Sequence, residues 1–410
     1  MNNNKINVFI AAQNDNIAIG SLWFHHKGQR ESASFEYEQS WLRHPECFAL
    51  EPALQLTQGS FHSAEESKVF GAFGDSAPDR WGRMLMRRAE SLNARLENRP
   101  TKTLTEIDYL LGVNDETRQG ALRFSYPDES NHYLSPSSKS AIPPLIAIPK
   151  LLAACERWQD DESDEDLKLL LTPGSSLGGA RPKASIRDKD KSLAIAKFPQ
   201  KNDETNVVLW EAVALTLAKS AGIPVPKSRI IASNQQAILL LTRFDRHKGQ
   251  RIPFLSAMSM LGAKNNDQRS YLEIAYAIEQ EGASPTEDLR QLWRRIIFNI
   301  MISNTDDHLR NHGFLYEQSK GWRLSPAYDL NPVATGMQVP SLSTAISFED
   351  ASALLENAMA VSDYFRLTPA QANAIVKEAS DAVKSWRDVA KQFGLSKREC
   401  DRMASAFRPE

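Results

Sequence analysis

The apolar residues of this chain change their spacing abruptly at one point, and that change restricts the fold more than any other feature. Residues 192–197 form a short apolar strand ending at Lys197. Residues 206–221 then carry Val207, Val208, Ala212, Leu215, Leu217 and Ala218 at helical spacing, stopped by Gly222 and Pro224. Residues 229–232 and 237–241 read as a strand pair turning at Asn234. Beyond Asp245 strands largely disappear, and residues 272–281, 287–303 and 369–407 are mostly helical in pattern. Strands grouped ahead of helices predict an α+β fold, with an all-α C-terminal part.

The segment before residue 125 mixes strand-like pieces (Val8 to Ile10, Ile17 to Ile19) with a helical stretch over 80–96, a small α/β unit. Ser- and Pro-rich residues 126–149 suit an exposed connection. The expected division is therefore 1–125, 126–245 and 246–410. At 410 residues the chain exceeds one ordinary core, and 41% hydrophobic with 24% charged residues fits a globular protein rather than a disordered one. No apolar span of 18 residues occurs, and the apolar run from Val8 to Ala12 is too short for a signal peptide, so a membrane is not expected as a partner. A net charge of -2 offers no general field for nucleic acid. Cys47, Cys155 and Cys400 are scattered without CxxC spacing, which suits a reducing cytoplasm.

Against this frame the polar residues fall in a telling order. Asp306 precedes Asn311 by five residues, and Asp329 follows downstream. That is the order in protein kinases of a catalytic-loop aspartate that takes the substrate hydroxyl proton, an asparagine that binds metal, and an aspartate that holds Mg²⁺ on the nucleotide phosphates. Amide and carboxylate oxygens are hard ligands that suit Mg²⁺. Upstream, residues 174–183 are glycine-rich, with Gly178 and Gly179 able to bring backbone amides close to phosphate, although the Walker A pattern is absent. Lys197 ends its strand fourteen residues after Lys183, where it could reach phosphates, and Glu211 lies fourteen further on, where it could pair with Lys197. Residues 240–246, with Thr242 and Phe244, sit where strands give way to helices, the place for a hinge holding adenine. His308 and His312, four apart beside Asp306 and Asp307, offer a rival zinc reading, but Leu309 stands where an HExxH motif requires glutamate. His308 is read as a hydrogen-bonding member of the loop, counted with the nucleotide-contacting residues.

These residues resemble those of the HipA-type serine/threonine kinases, toxins of bacterial toxin–antitoxin pairs. Residues 73–82 (Phe73, Gly74, Asp75, Ser76, Pro78, Asp79, Trp81, Gly82) are similar to the N-terminal signature, 176–183 to the glycine loop, 304–311 to the NxDDHxxN loop, and 328–330 to the metal-binding segment. The resemblance implies a protein-kinase-like fold, Asp306 as catalytic base, Asn311 and Asp329 on Mg²⁺, and Lys197 on ATP phosphates. It places Ser176, Gly178, Gly179, Ala180 and Lys183 in the nucleotide loop. It further implies autophosphorylation of Ser176 or the adjacent Ser175, which ejects the loop and inactivates the enzyme. A helix-turn-helix antitoxin is the implied partner, with operator DNA reached only through that complex, and aminoacyl-tRNA synthetases are among the family's substrates. Asn304 stands where eukaryotic kinases have the histidine of HRD, and Tyr328-Asp329-Leu330 replaces DFG. The alternatives are an antitoxin-binding corepressor and a small-molecule phosphotransferase.

Overall fold

The computed structural model describes residues 4–11, 15–28, 30–64, 67–127, 133, 142–160, 164–171, 181–336, 339–348 and 350–410. Two compact units result, Met1–Lys201 with Ala232–Leu255, and Asn202–Ile231 with Ser256–Glu410. The first therefore spans the expected boundary near residue 125, and residues 202–231 fall in the second.

In the first unit, β1 (Lys5–Ala11), β2 (Asn16–Lys27), β3 (Arg30–Tyr37), β4 (Phe61–His62) and β5 (Leu122–Ser125) form an antiparallel sheet in the order β4-β3-β2-β1-β5. Alternation along the strands sends Val8, Leu22, Phe24, Phe35 and Phe124 into the core. Gly20 is required there: a Cβ would sit 2.3 Å from the Glu36 carbonyl oxygen and 2.5 Å from the Phe35 ring. Phe73 packs on Phe35 and Phe124, with centroids 5.2 and 6.2 Å away, so the aromatic start of the 73–82 signature is a core element. The longer helices are α1 (Arg80–Leu96), α2 (Glu106–Leu111), α3 (Ile148–Asp160) and α4 (Asp164–Leu171). Asp79 starts α1 by accepting from the Gly82 N–H at 2.7 Å.

A second sheet in this unit contains β6 (Lys183–Arg187), β7 (Leu193–Lys197) and β8 (Gln236–Thr242), with Lys183 opposite Lys197 and Ala194 opposite Thr242. Asn234 and Gln235, just ahead of β8, both take positive φ, as a two-residue type I′ turn demands.

The second unit is built on α5 (Val207–Ser220), α6 (Tyr271–Glu281), α7 (Pro285–Met301), α8 (Pro369–Lys384) and α9 (Trp386–Gln392). Apolar residues surround almost the whole of α5, and its Trp210 packs against Trp386 and Phe407, which is why this helix belongs here. In α7, Pro285 pre-sets the first turn, and from Leu292 to Met301 every residue is buried, including Arg294, Arg295 and Asn299. Those three polar side chains hold other segments to the helix: Arg294 donates to the Ala221 carbonyl, Arg295 to that of Ser325, and Asn299 to Asp307.

The helical expectation for residues 246–410 takes several short strands as additions: Arg246–His247 paired with Gln250–Arg251, Phe254–Ser256, and a hairpin of β9 (Gly313–Glu317) and β10 (Gly321–Leu324) in which Phe314 faces Leu324. Its strands of five and four residues are too short to announce themselves among helices, and the turn depends on Gly321 at φ +120°. No helix among the described residues is long and apolar enough to cross a membrane.

Candidate active site

Helix α7 ends at Met301, and the chain reverses through Ser303, which holds φ +49°. The Asn304 N–H returns to the Asn299 carbonyl at 2.9 Å, while its side chain donates to Asn299 Oδ1 at 3.1 Å and accepts the Asn331 N–H at 3.3 Å. The loop is thus fastened to the buried helix at its root.

Asp307 fastens its middle. This carboxylate is 2% exposed, and its Oδ2 accepts from the Tyr271 hydroxyl, from Asn299 Nδ2 at 2.6 Å and from His312 Nε2 at 3.0 Å. Burial pushes the Asp307 carboxyl up, but the His312 ring and the surrounding donors outweigh it and hold the group below the usual carboxylate range. Burial, with the Asp307 charge beside it, drives the Tyr271 phenol well above its ordinary value. The loop backbone is held from the other side: Thr344 Oγ1 donates to the Asp307 carbonyl at 2.7 Å, and the Ser343 N–H and hydroxyl donate to that of Thr305 at 3.1 and 2.9 Å.

With Asp307 turned inward, Asp306 is exposed, and its carboxylate has no hydrogen bond or ion pair among the described residues. A short 3₁₀ turn, Leu309–Asn311, then brings Asn311 back so that its Nδ2 donates to the Asp306 carbonyl at 2.9 Å. Fixing the amide nitrogen on that carbonyl turns Asn311 Oδ1 away from it. Asp329 adopts φ +57°, a left-handed conformation that non-glycine residues seldom take and that gathers at functional positions. It is held by neighbours: Asn331 Nδ2 reaches the Asp329 carbonyl at 3.2 Å and Oδ1 at 3.3 Å, and the Tyr328 hydroxyl donates to the Arg310 carbonyl at 2.6 Å. That last bond joins the residue before Asp329 to the residue before Asn311. Both are oxygen donors on segments pinned to each other, a set that fits a hard cation such as Mg²⁺. Arg295 secures the start of the second segment through the Ser325 carbonyl, and burial lowers its guanidinium to about 10.

The remaining residues singled out in the sequence are distributed as follows. Lys197 is half-buried at the end of β7 in the first unit, and Glu211 is 3% exposed within α5 in the second. Lys183 is 3% exposed and lies 2.8 Å from Asp79, so the strand after the glycine loop is ion-paired to the 73–82 signature. Thr242 and Phe244 are half-buried and alternate with buried Arg243 and Asp245. Asp245 accepts from Arg243, Arg246 and the Gly120 N–H; burial pushes its carboxyl up, and the two guanidiniums more than reverse this and hold it far down. The hinge is therefore anchored on residues 117–120 by one side, leaving Thr242 and Phe244 on the other. His308 is half-buried and donates its backbone N–H to the Asp306 carbonyl at 2.9 Å. Ser175, Ser176, Gly178, Gly179 and Ala180 lie outside the described residues. His312, weighed as a zinc ligand, is committed to Asp307, and no group of three metal-ligating side chains occurs among the described residues.

Sequence reasoning missed Asp307, Asn299 and Tyr271 as the scaffold of the loop. The available signals were the aspartate doublet and an asparagine inside an otherwise apolar stretch of α7.

A small antiparallel sheet ending in a lysine, followed by a helical unit with an Asp–Asn loop and a downstream aspartate, defines the α+β, protein-kinase-like class. Comparison with known proteins then identifies the family. The HipA-like C-terminal domain matches residues 175–387 and the HipA N-terminal domain residues 11–110, and the chain belongs to the HipA family. A Haemophilus influenzae protein is 27% identical over 188 residues, which are 39% of this chain and 53% of that protein. The Sinorhizobium fredii protein Y4mE is 24% identical over 324 residues, covering 72% of this chain and 71% of its own. Both are named as putative kinases. The chain thus spans about half the length of the first and more of the second. Among solved structures, a chain of the Shewanella oneidensis MR-1 HipA, HipB and operator DNA complex matches with a TM-score of 0.66 and 15% identity, over 98% of this chain and 94% of that one. That likeness is one of fold.

Proposed function

We propose that the chain is an ATP- and Mg²⁺-dependent serine/threonine protein kinase and the toxin of a toxin–antitoxin pair. The observation that carries this reading is the exposed Asp306 carboxylate, without a partner among the described residues, on a loop locked from beneath by buried Asp307. Asp306 orients a serine or threonine hydroxyl and receives its proton, a contribution of roughly 10²–10⁴-fold in rate. Asn311 Oδ1 and the Asp329 carboxylate would hold Mg²⁺, which would neutralise charge on the phosphoryl group that ATP donates. Lys197 binds phosphate oxygens. Thr242 and Phe244 contact the base; Ser176, Gly178, Gly179, Ala180 and Lys183 form the phosphate loop, with His308 at the catalytic loop. Autophosphorylation of Ser176 or Ser175 introduces a dianion where phosphates bind and switches the enzyme off.

The relatives named as kinases support the activity, and the HipB and operator DNA of the Shewanella complex support a helix-turn-helix antitoxin that links the kinase to DNA. The substrate is a translation-related cytoplasmic protein such as an aminoacyl-tRNA synthetase. Purified protein incubated with Mg²⁺ and γ-labelled ATP is expected to gain label on serine, and Asp306→Asn to gain none. Equal labelling of the two would remove the reading. A corepressor role is separated in cells, where Asp306→Asn should abolish growth arrest yet leave operator repression intact.

A further inference from the structure

Within the second unit, α6 has a buried face and an open one. Its first residue, Tyr271, holds Asp307, whereas Leu272, Ala275 and Tyr276 line a surface groove of about 390 Å³ together with Leu261, Phe348 and Tyr364. Three aromatic rings stand in water around this groove: Tyr276 is 65%, Phe348 71% and Tyr364 58% exposed. Isolated exposed apolar residues are ordinary, but three aromatics around one concavity form the kind of patch that partners cover.

The charge around the groove identifies the partner's chemistry. Glu273 and Glu279 lie in its wall, Asp267 beside Arg269, and exposed Asp363 precedes Tyr364. Among the described residues two arginines pair with these carboxylates: Arg269 with Glu273 at 2.7 Å and Asp267 at 3.6 Å, and Arg366 with Glu279 at 2.9 Å. The surplus is negative, and aromatic faces in water attract guanidinium and ammonium groups. We propose that the groove docks an extended segment of a partner protein carrying an aromatic or large aliphatic side chain next to an arginine or lysine.

The position of the groove gives docking a consequence. One wall is the helix whose Tyr271 fixes Asp307. Phe348 belongs to the segment whose Ser343 and Thr344 hold the Thr305 and Asp307 carbonyls. A docked chain therefore rests on the two elements that support the Asp306 loop. The docking itself does not depend on phosphotransfer.

The test uses the full-length protein and three fluorescein-labelled peptide pools, Gly/Ser-based, with central Arg–Phe, Glu–Phe or Arg–Ser pairs, read by fluorescence anisotropy. The Arg–Phe pool should bind about tenfold more tightly than either other pool, and Tyr276→Ala and Phe348→Ala should each weaken it about tenfold. Both side chains are exposed, so thermal unfolding should stay at the wild-type midpoint. Asp306→Asn should bind the pool like wild type. Equal affinity for the three pools, or affinity indifferent to both alanine variants, overturns the proposal. So does self-association of the wild type that Tyr276→Ala abolishes, since the occupant would then be a second copy. Groove-dependent binding by a protein that transfers no phosphate would support the docking site while removing the kinase reading.

Discussion

Replacing Asp307 tests whether the buried carboxylate, rather than its exposed neighbour, gives the catalytic loop its shape. One oxygen of Asp307 accepts from Tyr271, Asn299 and His312, all at or near full burial. Asp307→Ala strands three buried donors at about 1–3 kcal/mol each, and with local relaxation the expected loss is roughly 3–5 kcal/mol. Asp307→Asn retains one carbonyl oxygen, enough for two donors, but loses the charge, so about 1.5–3 kcal/mol is expected. Because the carboxyl is held below its ordinary value, its contribution is present above about pH 4 and fades as pH falls through the depressed value. Asp307→Asn should therefore flatten the acid limb of the stability profile. If the loop moves by ~1 Å, phosphotransfer should fall by roughly 10²-fold. Urea unfolding across pH and labelled-ATP assays on the same preparations measure both quantities. Asp307→Asn protein with the wild-type midpoint and full transfer would show that the network positions nothing.

Other perturbations probe separate parts of the molecule. Glu51 is buried and accepts the Ala72 N–H; burial raises it from 4.5 to about 7, so stability is greatest below pH 4.5 and lost by pH 7. Glu51→Gln, which keeps an acceptor, should remove a slope amounting to about 3 kcal/mol over that window in denaturant titrations. Asp79→Ala removes the α1 cap and leaves Lys183 buried without its carboxylate, and should cost about 3–5 kcal/mol by chemical denaturation. Asp329→Gly relieves a left-handed φ and should stabilise the apo protein by up to ~1 kcal/mol, while the rise in Tm that the proposed function expects from Mg²⁺ with ATP in the wild type should be absent.

The helices over 80–96 and 207–220 were legible because their apolar periodicity is long and their stop signals are local. The order of Asp306, Asn311 and Asp329 was equally visible, because it depends on residue type and spacing alone. The support beneath it was hidden. Tyr271, Asn299, Asp307 and His312 meet through tertiary packing of α6 and α7 against the loop, and nothing in their spacing marks which of two adjacent aspartates turns inward. The Lys183–Asp79 pair joins residues more than a hundred positions apart, and no local pattern reports such a contact.

The central claim rests on Asp306 alone being the base while its neighbour is the anchor. The most direct measurement is the single-turnover rate of phosphate transfer from Mg²⁺-ATP by wild-type and Asp306→Asn protein, paired with urea midpoints. The account predicts a loss of about 10²–10⁴-fold in rate with stability unchanged to within ~0.5 kcal/mol, because the Asp306 carboxylate is exposed and unpartnered among the described residues. A rate that survives the substitution would contradict it, as would a loss of rate matched by a loss of fold.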